Sequence, residues 1–271
     1  MGARALFLDD RLSGFKGCPS GSFVEVSSAS MTKNRAHIGA AVLISNATVI
    51  MYDTHILEND GQVQGGGLAT FDDGVITVCN SSLSRNVARV TGGVIALNVR
   101  ATHAVLCCSI RAAELTCRWC RVQSGSVKLS DSVIAHNMAA FGGAAYVALG
   151  GALTFQRCSV RDNSAGTDGG VVYSYAGRST FSHSTVSNNV ATGSGGVASL
   201  LQTGELVVDA CTVQSNKATN GGVVVANNDA VVSARRSIVR GNSVSHCGGF
   251  AEFLVGTPRL SFHTLLYSLA W

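Results

Sequence analysis

The sequence predicts an all-β protein, a single-domain parallel β-helix of about nine coils with a repeat of about 26 residues. Three observations predict it. Glycine pairs recur at a fixed interval, asparagines keep the same interval, and the residues between them alternate as strands do.

The glycine pairs stand at Gly66-Gly67, Gly92-Gly93, Gly142-Gly143, Gly169-Gly170, Gly195-Gly196, Gly221-Gly222 and Gly248-Gly249, at intervals of 26, 50, 27, 26, 26 and 27. The asparagines are Asn34, Asn59, Asn86, Asn137, Asn163, Asn189, Asn216 and Asn242, at intervals of 25, 27, 51, 26, 26, 27 and 26. Both series double their step at the same place, which predicts one degenerate copy near Arg111. Five residues before each Asn comes a small residue: Ser81, Ser132, Cys158, Ser184, Cys211 and Ser237, with Cys108 filling the degenerate copy. Two positions on is an aliphatic row (Leu83, Ile110, Ile134, Val160, Val186, Val213, Val239). Three positions before the small residue is another apolar row (Val78, Val105, Leu129, Phe155, Phe181, Val208, Ala234).

A spacing of two is strand spacing. The spacing of three, the Asn and the Gly-Gly are bends. Three short strands and three bends make one coil, and the next coil stacks on it at the ~4.8 Å strand separation, giving a rod of roughly 40–45 Å. Ser and Cys fit a narrow interior, and glycines supply bends of positive φ or close backbone approach. Asn137, Asn163, Asn189, Asn216 and Asn242 are expected to form a structural ladder, each amide bonding from coil to coil. Residues 1–30 read as an N-terminal cap or flank, 31–254 as the β-helix and 255–271 as a C-terminal flank or cap.

Composition excludes several alternatives. With 46% hydrophobic and 13% charged residues the chain is not disordered. The glycine pairs and Val/Ser/Thr segments argue against a helical solenoid, and no Leu-x-x-Leu-x-Leu consensus marks a leucine-rich repeat. Met138 to Phe155 runs without a charge, but its four glycines and its place in the repeat argue against a transmembrane segment. Twenty Lys and Arg against 16 Asp and Glu leave +4, too mild to announce nucleic acid or an anionic membrane. Residues Met1 to Phe15 show no secretory signal, and Leu6 stands where a myristoylation motif needs Ser or Thr. Two N-glycosylation sequons begin at Asn46 and Asn80.

The units beginning at Cys158 and Cys211, with Asn163-Ser164-Ala165 before Gly169-Gly170-Val171 and Asn216-Lys217-Ala218 before Gly221-Gly222-Val223, resemble the repeats of polymorphic outer membrane proteins. More broadly they are similar to the right-handed, pectin-lyase-like β-helix superfamily. Asn-x-Ala recurs at Asn34/Ala36, Asn86/Ala88, Asn137/Ala139 and Asn189/Ala191, over roughly Met31 to Leu254. Where the family repeat carries Phe before its Asn, this chain has Val or Ile. The resemblance implies a surface-exposed or extracellular passenger, adhesin-like, that precedes a membrane barrel. No barrel fits after Leu254, which points to a fragment or a relative without one.

Five groups are candidates for chemistry. Cys117 and Cys120 form a C-x-x-C, read either as half of a thiolate metal site or as a disulfide or buried thiols beside Cys107 and Cys108. With nine Cys in all, one is left unpaired in any disulfide scheme. Cys158 and Cys211, two coils apart, are read as packing. Asp72-Asp73 has the look of a glycosidase carboxylate pair and equally of a bend. Asp131, Arg157 and His183 precede the small ladder on adjacent coils; these are the residue types a polysaccharide lyase uses, and also those of a solvated charge ladder. Ser159, Thr185 and Thr212 follow it, an outward hydroxyl row able to bind a glycan or ordered water.

The leading reading is non-enzymatic: an adhesin-like, glycan-binding or structural module with a glycan or cell-surface ligand and no cofactor. The alternative is a carbohydrate-active enzyme, a lyase or hydrolase of an acidic polysaccharide. An enzyme needs a cleft, and from Asn137 to Asn242 the period leaves no room for long loops; the largest irregularity spans Thr102 to Ser126. Ice binding would ask for regular Thr-x-Thr rows, which this chain lacks.

Overall fold

Followed from Ala152, one turn of chain shows how the pattern becomes structure. Ala152–Gln156 is a five-residue strand that sends Leu153 and Phe155 inward. Arg157 bends the chain, and Ser159–Arg161 continues with Val160 inward. Asp162 bends it again before buried Asn163, and Ser164–Ala165 forms a two-residue strand. Gly169-Gly170 then returns it into Val172–Tyr175. The next turn repeats this in parallel register, Ala152 opposite Arg178, Ser159 opposite Thr185, Ser164 opposite Val190 and Val172 opposite Ala198. The computed structural model describes residues 4–7, 23–45, 47–71, 74–97, 125–247, 251–253 and 259–268, and among them there is no helix.

The strands collect into three sheets of 16, 9 and 8 strands. In the turn just followed, the five- and three-residue strands belong to the largest sheet, the return strand to the nine-stranded sheet and the two-residue strand to the smallest. At one edge Arg4–Phe7 pairs antiparallel with Val42–Ser45. Each turn thus has four strands rather than the three expected. The added bend is made by residues in the left-handed region: Asp131, Arg157, His183, Ala210 and Arg236 all have φ near +51°. A second row, His136, Asp162, Asn188 and Ser215, has φ near +57° immediately before the asparagines. L-residues rarely adopt this conformation, so each such bend carries some strain that the stack must offset.

The two glycines of each pair differ in what they do. The first has positive φ, +70° at both Gly169 and Gly195. The second sits where a Cβ would strike backbone: on Gly170 it would run into the carbonyl of Gly196, and on Gly196 into that of Gly222. Only glycine lets consecutive turns close up here.

Inside, alternation produces one-residue-wide rows of Val, Leu, Ile and Ala, with the Phe155 and Phe181 rings stacked at 4.8 Å. The predicted aliphatic and apolar rows are buried wherever they are described.

The degenerate copy is corrected by the pairing. Val75 stands directly opposite Ser126, Ser82 opposite Val133, Val87 opposite Met138 and Ile95 opposite Ala145. All four strands pair directly with those of the turn that follows residues 98–124, and this segment, with Val105, Cys108 and Ile110, lies outside the described residues. About seven turns are therefore complete, with parts of others, against the nine expected. The uncharged stretch from Met138 to Phe155 is divided among three strands, and no helix of the described residues is long and apolar enough to cross a membrane.

Candidate functional site

The ladders that hold the rod must be separated from the groups left over for function. The asparagine ladder is structural. Asn189 Oδ1 accepts hydrogen bonds from Asn163 N (3.0 Å) and Asn163 Nδ2 (2.9 Å), while Asn189 Nδ2 donates to Val160 O (3.1 Å) and Asn216 Oδ1 (2.9 Å). The same bonds run from Asn34 through Asn59, Asn86, Asn137, Asn163 and Asn216 to Asn242. The small ladder also bonds. Ser184 Oγ accepts from Cys158 N at 3.0 Å and donates to Ser182 O at 2.8 Å. Ser237 Oγ does the same for Cys211 N and Arg235 O. Reading these residues as merely small missed that role.

Cys158 and Cys211 sit in that ladder as buried free thiols, with Sγ of Cys211 accepting from Ser184 N. Burial is the main cause raising both thiol pKa values, Cys211 to about 11. Cys117, Cys120, Cys107, Cys108, Asp72 and Asp73 lie outside the described residues. Among the described residues no three His, Cys, Asp or Glu side chains cluster as a metal site would require.

Asp131, Arg157 and His183 do project outward on adjacent turns, because the left-handed bend turns their side chains to solvent. The three are not brought together as a set. Arg157 forks onto Asp131, Nε to Oδ1 at 2.6 Å and Nη2 to Oδ2 at 2.7 Å, so both carboxylate oxygens are engaged. These bonds hold the Asp131 carboxyl below the ordinary range and push the Arg157 guanidinium up. His183 has no hydrogen-bond or ion-pair partner for its ring among the described residues. On the turn of Arg157, Arg161 pairs with Asp162 at 2.7 Å.

The hydroxyl row is in register: Ser159 opposite Thr185 opposite Thr212, bracketed by Val133 and Ile238. All three side chains face outward and none is hydrogen-bonded within the described residues. Its margins carry Arg157, His183, Ala210 and Arg236 on one bend, and Arg161, the buried Ser187, Gln214 and Arg240 at the strand ends. The arrangement is a flat polar strip with a donor-acceptor row down its middle.

Two groups escaped the sequence reading. Asp209, largely buried, is shared by Arg236, at 2.7 Å, and Arg235, at 3.2 Å; the register that pairs Asp209 with Arg235 was readable from the period. On the nine-stranded sheet Tyr146 stacks on Tyr173 at 5.9 Å, and Phe141 meets Tyr173 edge-on at 5.0 Å. Burial pushes both phenols above their usual range.

The comparisons agree with this architecture. No curated protein and no solved structure matches the chain. A family model described as a right handed beta helix region matches residues 120–262, over half of the chain. Parallel turns of about 26 residues, bend glycines and asparagine ladders together with that match place this chain in the right-handed β-helix family.

Proposed function

We propose that this protein is a non-enzymatic surface or extracellular β-solenoid that binds a glycan along the strip of Ser159, Thr185 and Thr212. One observation carries the reading: three outward hydroxyls stand in register at the ~4.8 Å strand separation with no hydrogen-bond partner among the described residues. Other serines and threonines of the bends are spent on the stack, as Ser81, Ser132, Ser184 and Ser237 are. A free hydroxyl both donates and accepts, as the hydroxyls of a sugar do. The adhesin-like placement on a cell surface rests on the resemblance to polymorphic outer membrane protein repeats.

The lyase alternative is less favoured by the same geometry. The carboxylate that would neutralise a uronate through a cation or its own proton must be free, yet both oxygens of Asp131 are held by Arg157. The constant turn length from Asn137 to Asn242 also leaves no long loop of those turns to exclude water from a reacting sugar.

The test is a panel of neutral and acidic glycans against the full chain and its Ser159→Ala/Thr185→Val/Thr212→Val variant. The variant should melt as the parent does and bind about tenfold or more weakly, the loss of one to two hydrogen bonds. Unchanged binding, or no glycan bound by the parent, rejects the proposal. Release of unsaturated uronate from pectate or alginate, abolished by Arg157→Ala, would restore the lyase.

A further inference from the structure

We infer that the strip takes an anionic glycan, one bearing sulfate or carboxylate groups, and that Arg236 and Arg240 anchor its charge. This deepens the glycan reading above and rests on it.

The inference begins with charge. Five described arginines reach a carboxylate that no other arginine shares: Arg35 with Asp60, Arg85 with Glu58, Arg157 with Asp131, Arg161 with Asp162 and Arg178 with Glu205. The turn that carries Ile238 departs from this. Arg235 and Arg236 share the single carboxylate of Asp209, and Arg240 bonds through Nε to Gln214 Oε1, a neutral acceptor, at 3.0 Å. Among the described ion pairs these three exposed guanidinium groups thus meet one carboxylate, and Arg240 meets none.

Geometry decides what that charge faces. Arg236 and Arg240 flank Ile238, the residue that continues the row Ser159, Thr185, Thr212. At the other end Arg157 and Arg161 flank Ser159 with the same spacing. Two arginine pairs therefore bracket the hydroxyl row, three turns apart, or ~14 Å at the strand separation. Donors remain available. Asp209 occupies Nε and Nη2 of Arg236 and leaves Nη1, and Gln214 occupies only Nε of Arg240. A guanidinium fork matches a sulfate or carboxylate, and the hydroxyl row between matches the uncharged face of a sugar chain.

The strip is a poor match for other polyanions. Single-stranded nucleic acid asks for aromatic stacking platforms, and no aromatic residue lies in the row. A duplex asks for a broad field of cations, and along this strip arginines stand only on the turns of Ser159 and Ile238.

Binding of the full chain to immobilised dextran sulfate and to unmodified dextran, at several salt concentrations, tests the inference. The sulfated chain should bind at least about tenfold more tightly, and the difference should shrink as salt rises. Arg236→Gln/Arg240→Gln should lose most of that margin, whereas Arg178→Gln, already paired with Glu205, should keep it. A double variant that binds dextran sulfate like the parent overturns the inference, as does an equal loss in Arg178→Gln. Tighter binding of duplex DNA or phosphatidylserine vesicles through the same arginines overturns it as well. Equal binding of dextran and dextran sulfate, indifferent to the arginines, removes the anionic ligand and leaves the glycan reading standing. Binding to neither chain removes both.

Discussion

Replacing Asn189 by Ala takes away one side chain and four hydrogen bonds. Two are accepted by its Oδ1 from Asn163, and two are donated by its Nδ2 to Val160 O and Asn216 Oδ1. The site is fully buried, so water cannot take over. The Asn163 N–H loses the acceptor it has in the ladder, and the Val160 carbonyl loses a donor. With a buried polar group left unpaired costing ~1–3 kcal/mol, and part of the loss absorbed by local shifts, the variant should be less stable by roughly 2–4 kcal/mol. The control lies next door. Asn188 is exposed with φ +56°, so Ala there forfeits only the tolerance of Asn for the left-handed region, about 1 kcal/mol or less. Urea unfolding followed by circular dichroism should place the two midpoints roughly 1 M apart. Coincident midpoints would refute the ladder as a source of stability, whatever their absolute values.

Ser184→Ala should cost about 1–2 kcal/mol by orphaning Cys158 N, while Ser184→Cys should cost less, since thiols already fill this ladder at Cys158 and Cys211; equal losses would show the hydroxyl bonds to be idle. Asp131 should titrate below the ordinary carboxylate range and return toward it in Arg157→Gln, followed by carboxyl carbon shifts. Because the folded value is the lower one, the pair's small contribution is present above the unfolded pKa and disappears as pH falls through the folded one. An Asp131 midpoint unmoved by Arg157→Gln would contradict the fork. At pH 8 a maleimide should label exposed Cys247 quickly and reach Cys158 and Cys211 only on unfolding, since burial holds Cys211 protonated up to about 11; labelling of Cys211 at the rate of Cys247 would contradict its place in the core.

The period, the asparagine ladder and the glycine pairs were all legible because each reflects a requirement that repeats unchanged from turn to turn. The failure at residues 98–124 is instructive. Val105, Cys108 and Ile110 reproduce the apolar, small and aliphatic spacing, yet Ala113 stands where the ladder Asn would and no Gly-Gly follows. Apolar spacing describes any half-buried strand, whereas Asn and Gly-Gly meet demands peculiar to stacking: an amide that bonds to both neighbours and a bend with no Cβ. Those two signals, not the apolar ones, mark a rung. The left-handed bends were hidden for a different reason. Asp131, Arg157, His183, Ala210 and Arg236 share a conformation and no chemistry, because the backbone bonds of the stack impose it. At the candidate strip, the outward direction of Ser159, Thr185 and Thr212 followed from strand parity. The engagement of Asp131 by Arg157 did not, since side-chain reach across a bend is not encoded in spacing.

The direct pairing of Val75 with Ser126 has a consequence for how this chain can be altered. Elsewhere a partner arrives after about 26 residues; here it arrives after 51, and the native hydrogen bonds across the junction are the same. Doubling a loop adds only about 0.6 kcal/mol of closure entropy, close to thermal energy. The corner between Leu97 and Gly125 is therefore a natural port in the stack. A foreign peptide or small domain grafted there would ride on the solenoid without any turn having to unstack, provided its own ends lie close together.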